Sequence, residues 1–385
     1  MNRARAMAIL LAMGMLTAAA LVLPAWSNVL LAGLAFAGLR KGRRAFLAFV
    51  ALTLALNTLL FALLIPGPGA VHVGPVALGA SGALLGVTGA LRLSAILGAN
   101  LAFLSWVPPT VLLDGLRLPL RMTAFLGAVL IAAHDLGRDA VRLVDAQRLD
   151  GSWPHGLRRK ARAAAGLLPP LAVLALRRAR TRADALRLAG HDMGPRFAPL
   201  VAVTAMAVAG RLVFTLAIPN VSLTFVVVFV AGLVFGVRVG ALAGLLGMAI
   251  TNLLLSGVYL VAFANAPAMA LVGVLGGLLR RVEFSGVSPT DRWAGRFLAA
   301  SCGIVATIIF SLSADLATWA FVAEYRDTPG ALRTLVLAGL TFNLLSTAVN
   351  AVLFAAAVGP VSTAAKHAGV LSDVAVGPVS TRSAG

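Results

Sequence analysis

The stretch Ile218–Gly257, IPNVSLTFVVVFVAGLVFGVRVGALAGLLGMAITNLLLSG, decides the fold. It holds two apolar runs, about 222–236 and 239–256, and its only charge is Arg238 between them. Runs of this kind belong in lipid, where a helix satisfies every backbone donor and acceptor internally. Working outward, the same pattern fills about 198–217, 260–279, 297–322 and 333–358, making six runs in this half. Arg280, Arg281, Arg292 and Arg296 follow the fourth run and Lys366 the sixth, whereas the loop after the fifth carries Glu324 and Asp327 beside Arg326. Basic loops therefore alternate with others, which predicts that both ends of this half are cytoplasmic. Abundant Gly and Ala let helices approach closely, so a six-helix bundle is expected over 196–360.

The first half gives runs near 7–23, 28–39, 45–66, 76–91, 94–113 and 119–133. The 28–39 run is short for a full crossing and reads as tilted or re-entrant. Arg3, Arg5 and the cluster Arg40, Lys41, Arg43 and Arg44 are expected on the cytoplasmic side. The opening MNRARAMAILLAMGMLTAAALVLPAWS has the form of a signal peptide, but spans follow at once, so it is read as a retained signal anchor. The expected fold class is thus all-α, a polytopic helical protein of the cell (cytoplasmic) membrane.

Composition agrees. Of 385 residues, 60% are hydrophobic and 12% charged, and mean hydropathy is +0.96, which excludes a water-soluble domain. A net charge of +19 would suggest nucleic acid in a soluble protein. Here the basic residues form short clusters between apolar runs with little aromatic interleaving, so the stacking surface of a single-strand binder is missing and no nucleic-acid partner is expected. The single cysteine, Cys302, allows no disulfide, zinc or iron–sulfur framework, and no cofactor is expected. No G-x-x-x-x-G-K-[ST] loop occurs, so the chain is not itself an ATPase.

Between the halves the character changes. ALRRARTRADALRLAGHD, residues 175–192, places Leu176, Ala179, Ala183, Leu186 and Gly190 in one stripe, with five arginines around it. HDLGRDAVRLVDAQRLDG, residues 134–151, repeats the design with Leu136, Ala140, Leu143 and Val144. Each closes on Gly, a helix stop. Such basic amphipathic helices, 134–151 and 176–190, can lie on anionic lipid, dock a partner's groove, or be solvated loop helices. AAAGLLPPLAVLALR between them is apolar, and Pro169 and Pro170 are expected to break it.

Residues 75–192 resemble the T (scaffold) subunit of energy-coupling-factor (ECF) vitamin transporters. The resemblance rests on GALLGVTGALRLSAILGANLAFLSWVPPTVLLDGLRLPL, the AQR…G helix end and RxRADALRLAG. It implies a T-like domain over 1–192 whose two coupling helices dock two separate ATP-binding-cassette subunits through Gln147, Arg148, Asp150 and Gly151, and through Arg187, Ala189 and Gly190. The sequence departs from the family at Asp150 and Ala189, where the family places arginine. Neither side chain makes the bidentate pair a guanidinium makes.

Residues 196–360 resemble the S (substrate-binding) component of the same transporters, through the opening stretch and NAPAMALVGVLGGLLRR, most like the groups associated with cobalamin or its precursors. The resemblance implies capture of a small micronutrient and a T-facing stripe of Ala198, Ala202, Ala205 and Ala209, which spacing alone reads equally as generic packing. Polar residues inside spans tend to face a cavity. Those here are Asn252, Ser256, Asn265, Asp315, Asn343 and Asn350; for each Asn an interhelical hydrogen bond is the alternative. Asp315 is expected to touch substrate or pair with Arg211, and Trp319, four residues on, to stack on a ring. Asn220, Thr224 and Tyr259 stand near the expected outer ends, as pocket residues, interfacial anchors or turn formers.

Two other functions fit parts of the pattern. One is a stand-alone solute carrier with degenerate coupling helices. The other is an intramembrane serine protease, because Gly79-Ala80-Ser81-Gly82 resembles the rhomboid G-x-S-G segment and His134 is a candidate base. The final stretch 361–385 contains the second copy of AVGPVST and is expected to be disordered.

Overall fold

The computed structural model describes residues 12, 15–16, 25–39, 43–64, 70–73, 76–106, 119–152, 166, 168–188, 190, 194, 197–215, 222–256, 260–282, 284, 289–321 and 331–367. Ala189, Asn220 and Tyr259 lie outside them, as does the chain beyond 367. The first half contributes α1 (Ala25–Gly38), α2 (Arg43–Leu64), a hairpin of β1 (Val71–Val73) and β2 (Val76–Leu78), α3 (Ala80–Trp106), α4 (Leu120–Leu149) and α5 (Leu168–Leu188). The second half is α6 (Phe197–Thr215), α7 (Thr224–Phe235), α8 (Val237–Ser256), α9 (Leu260–Leu278), a short 3-10 turn (Leu279–Arg281), α10 (Pro289–Phe321) and α11 (Ala331–His367).

Among the described residues six helices are long and apolar enough to cross a membrane, with candidate spans at Phe46–Leu63, Ala80–Ala102, Leu120–Leu149, Val237–Leu255, Thr290–Ala320 and Asn343–Thr363. This is the pattern of a multi-pass membrane protein. The hairpin pairs antiparallel, with His72 opposite Ala77.

Several boundaries differ from expectation. The runs 76–91 and 94–113 are not two helices: 76–78 is a strand, and Ala80–Trp106 is one helix carrying Arg92 within it. The apolar run 119–133 and the charged segment 134–151 form one 30-residue helix, α4. Pro169 and Pro170 do not break α5; they fall in its first turn, where a missing N–H removes no intrahelical bond. The stretch 361–367 is helical, because α11 runs on through Pro360 to His367, with the Ser362 and Thr363 hydroxyls donating to Gly359 O at 2.8 and 3.0 Å.

Close backbone approach holds the second half. A Cβ on Gly232 would collide with Gly273 O, and one on Gly276 with Phe229 O, so α7 meets α9 backbone to backbone. Gly236, at φ 88°, turns the chain between α7 and α8, and its N–H donates to Gly232 O at 2.8 Å. Phe229 and Phe354 are fully buried in the shared core, their ring centroids 5.1 Å apart.

In the first half Arg43 closes α1. Its Nε donates to Leu39 O at 2.8 Å and its Nη2 to Ala37 O at 2.9 Å, the use of a cation expected at a helix C-terminus. The halves meet where Phe49 of α2, Leu97 of α3 and Leu255 of α8 are buried together, with Leu212 of α6 packed on them.

Candidate functional site

The charged helices are a built structure. Asp135 and Asp139, four apart on α4, face Arg182 and Arg178, four apart on α5. Arg182 Nη2 donates to Asp135 Oδ2 at 3.0 Å, and Arg178 Nη1 stands 2.6 Å from Asp139 Oδ2 as an ion pair off the hydrogen-bond axis. Arg182 Nη1 also donates to Ala128 O at 3.0 Å. These two arginines are consumed within the chain. Arg177, Arg180 and Arg187 remain exposed.

The apolar stripe is consumed too. Ala175 and Ala179, with Leu176, Ala183 and Leu186, pack with Ala128, Val129, Ala132, Ala133 and Leu136 of α4 against Ala198, Ala202, Ala205 and Ala209 of α6. Phe125 meets Phe197 edge-on at 6.0 Å where α4 and α6 cross. The stripe therefore does not lie on lipid or enter another protein's groove, because the second half of the same chain covers it. Small side chains make this possible by letting three helices converge.

The helix ends stay outside this packing. Gly151 (φ 69°) and Gly190 (φ 84°) terminate α4 and α5 in the left-handed conformation that favours glycine. Their N–H groups donate to Arg148 O and Arg187 O at 3.1 and 2.9 Å. Gln147 is half-buried, and its carbonyl accepts from Ser152 Oγ at 3.1 Å. Arg148, Asp150 and Arg187 are exposed. Arg148 lies 3.6 Å from Asp145, a surface pair of little energetic weight. Beside the arginines stand Leu149, 89% exposed, and Leu188, 91% exposed. The two ends thus share the tetrad Arg-Leu-x-Gly.

In the second half, Arg211 Nη1 donates to Met248 Sδ at 3.0 Å and Nη2 to Asn252 Oδ1 at 3.3 Å. Arg211 does not pair with Asp315, correcting that expectation: among the described residues neither belongs to an ion pair. Asp315 instead converges with Asn343 over Gly339, where a Cβ would stand 3.1 Å from Asn343 Nδ2 and 3.6 and 3.7 Å from the carboxylate oxygens. Asp315 Oδ2 is shut off from solvent without a donor, and Trp319 is half-buried one turn on. Asn265 Oδ1 is likewise buried and unpartnered. Asn350 realises the interhelical alternative, with Nδ2 donating to Thr307 Oγ1 at 2.9 Å and toward Ser346 Oγ at 3.4 Å. Thr224 is fully buried; its hydroxyl donates to Ala207 O at 2.9 Å and accepts from Ser222 Oγ at 2.6 Å, which makes it a turn former rather than a pocket wall. Ser256 ends α8.

Ser81 is exposed in the first turn of α3, and His134 is exposed midway along α4. No hydrogen bond joins them among the described residues. A nucleophile–base pair requires one in reach.

The first half also carries buried polar groups, none of them among the expected site residues. Asn28 of α1, Thr53 of α2 and Ser94 of α3 are buried, and their side-chain polar atoms have no partner, as has Arg92 Nε. Ala35 and Phe46 abut Gly98, and Asn57 and Thr58 abut Gly86. Counting along the helices from these contacts puts Asn28 and Thr53 level with the 90–94 stretch of α3. The usable signal is the one applied to the second half: a lone polar residue inside an apolar run.

Fold and site together define a multi-pass helical membrane protein with polar groups held inside its spans. No protein-family model, no curated protein and no solved structure matches the chain.

Proposed function

We propose that the chain is the membrane part of an ECF-type importer, a scaffold (1–192) fused to a six-helix substrate-binding bundle (196–360). It would take up a vitamin-like micronutrient, of which cobalamin or a precursor is the leading class, across the cell membrane. Two separate cassette ATPases would dock at the Arg-Leu-x-Gly ends, with Arg148 and Arg187 supplying the guanidinium that Asp150 and Ala189 do not.

The observation that carries this reading is the seat of α6. Its alanines are buried on the two charged helices, which are tied to each other by Arg178–Asp139 and Arg182–Asp135. A motion of α4 and α5 is thereby transmitted to the whole second half as a rigid body. Leu212 and Leu255 lie at the end of the second half remote from its basic residues Arg238 and Arg280, yet they pack on Phe49, within two turns of basic Arg43 and Arg44. This arrangement puts the basic ends of the two halves on opposite sides, so the expectation of cytoplasmic basic ends does not hold for both halves at once.

The test is the solute retained by the full chain purified in native-lipid nanodiscs and identified by mass spectrometry. A small polar micronutrient at one per chain supports the proposal; lipid alone contradicts it. The stand-alone carrier is the second reading, favoured by the departures at Asp150 and Ala189.

A further inference from the structure

Arg211 stands one turn from the end of α6, a helix whose other residues from Phe197 to Thr215 carry no charge. Its two described acceptors are neutral: a thioether, which is a weak acceptor, and an amide oxygen at the long distance of 3.3 Å. Its Nε is buried with no acceptor at all. The neighbouring residue Leu212 belongs to the apolar junction with Phe49, Leu97 and Leu255. A guanidinium left unanswered in an apolar span is expensive, and joining α6 to α8 by hydrogen bonds does not need a permanent charge.

We propose that Arg211 is the oxyanion-recognition point of the substrate site, held in place by Met248 and Asn252, so that the imported solute carries a carboxylate or phosphate. This rests on the importer reading and names the chemical class of its solute. Met248 and Asn252 each take one N–H, from Nη1 and Nη2. The Nε–H is left without an acceptor, on the edge of the guanidinium that it shares with Nη2, the edge that matches two oxygens of one anion. Arg211 is four residues from the end of α6 and Asn252 four from the end of α8, so the fork lies within the last two turns of both helices.

The test uses the full chain in nanodiscs with three probes of similar shape: benzoate, phenyl phosphate and the neutral benzamide, each titrated by calorimetry. Benzoate reports a carboxylate site and phenyl phosphate a phosphate site. At least one anion is expected to bind the wild type, and to bind Arg333→Gln, an exposed-site control, equally well. Binding to Arg211→Gln is expected to weaken about tenfold or more, the scale of one lost charge-assisted pair. Arg211→Lys, which keeps the charge and the fold but loses the fork, is expected to weaken similarly and carries the test if Arg211→Gln does not fold. Equal binding of benzamide, no anion binding to the wild type, or unchanged binding by the folded Arg211 variants would overturn the proposal. Failure of the importer reading looks different: anion binding persists while no solute is retained and no ATPase associates.

Discussion

Asp139 and Asp315 are the same residue type in two unlike settings. On α4, Asp139 faces Arg178 at 2.6 Å, and its neighbour Asp135 faces Arg182 at 3.0 Å. On α10, Asp315 has no cationic partner among the described residues, only Asn343 across a glycine gap. Arg211 is the mirror case, a cation bound to neutral acceptors. Breaking a paired charge is costly because its partner is left uncompensated, whereas a charge that stands without an ionic partner inside the protein already bears that cost. The charged helices are thus paired within the chain, and the second half keeps charges that have no ionic partner among the described residues.

The contrast can be broken or sharpened by substitution. The largest effect is expected from Ala205→Leu, because Ala205 is fully buried where α6 sits on α4 and α5. Overpacking there should cost about 3 kcal/mol, read as a lowered unfolding midpoint in nanodiscs. A midpoint equal to wild type would mean that the seat is loose and transmits no motion. Next is Asp139→Ala. Because the pair is partly exposed, about 2 kcal/mol is expected rather than the larger loss of a fully buried pair. The swap Asp139→Arg with Arg178→Asp should restore part of it; a double variant no better than the sum of its parts would deny the pairing. Smaller still is Asp315→Asn. Removing an unanswered charge should change stability by less than about 1 kcal/mol while abolishing solute retention. A large loss of stability with retention intact would make Asp315 structural and erase the contrast. Smallest in stability is Leu149→Ser with Leu188→Ser. Both leucines are nearly fully exposed, so the fold should shift by less than about 0.5 kcal/mol. Any effect should appear in partner binding alone, measured by pull-down against the Arg333→Glu control.

How much of this was legible depends on the kind of signal. The six helices of the second half followed from apolar runs punctuated by arginines, because lipid demands that pattern over every span. In the first half one guanidinium, Arg92, inside an apolar stretch looks like a boundary between two runs, yet α3 carries it without interruption. The stripe on the arginine helix was legible from its spacing. What covers the stripe was not, since alanines recur throughout this chain and spacing does not say which of them meet. The same holds at the site. Asn252 and Asp315 stand out as polar residues in apolar runs, but that Arg211 meets Asn252 and that Asp315 meets Asn343 over Gly339 comes from tertiary packing, which periodicity does not encode.

Under the proposed function the charged helices couple a solute-binding bundle to external ATPases, and native mass spectrometry of the full chain mixed with candidate cassette ATPases measures that coupling. Two ATPases per chain are predicted, with the complex lost in Arg148→Glu/Arg187→Glu and retained in Arg333→Glu. A wild-type chain that binds no ATPase, while vesicles containing it take up solute without ATP, would contradict it.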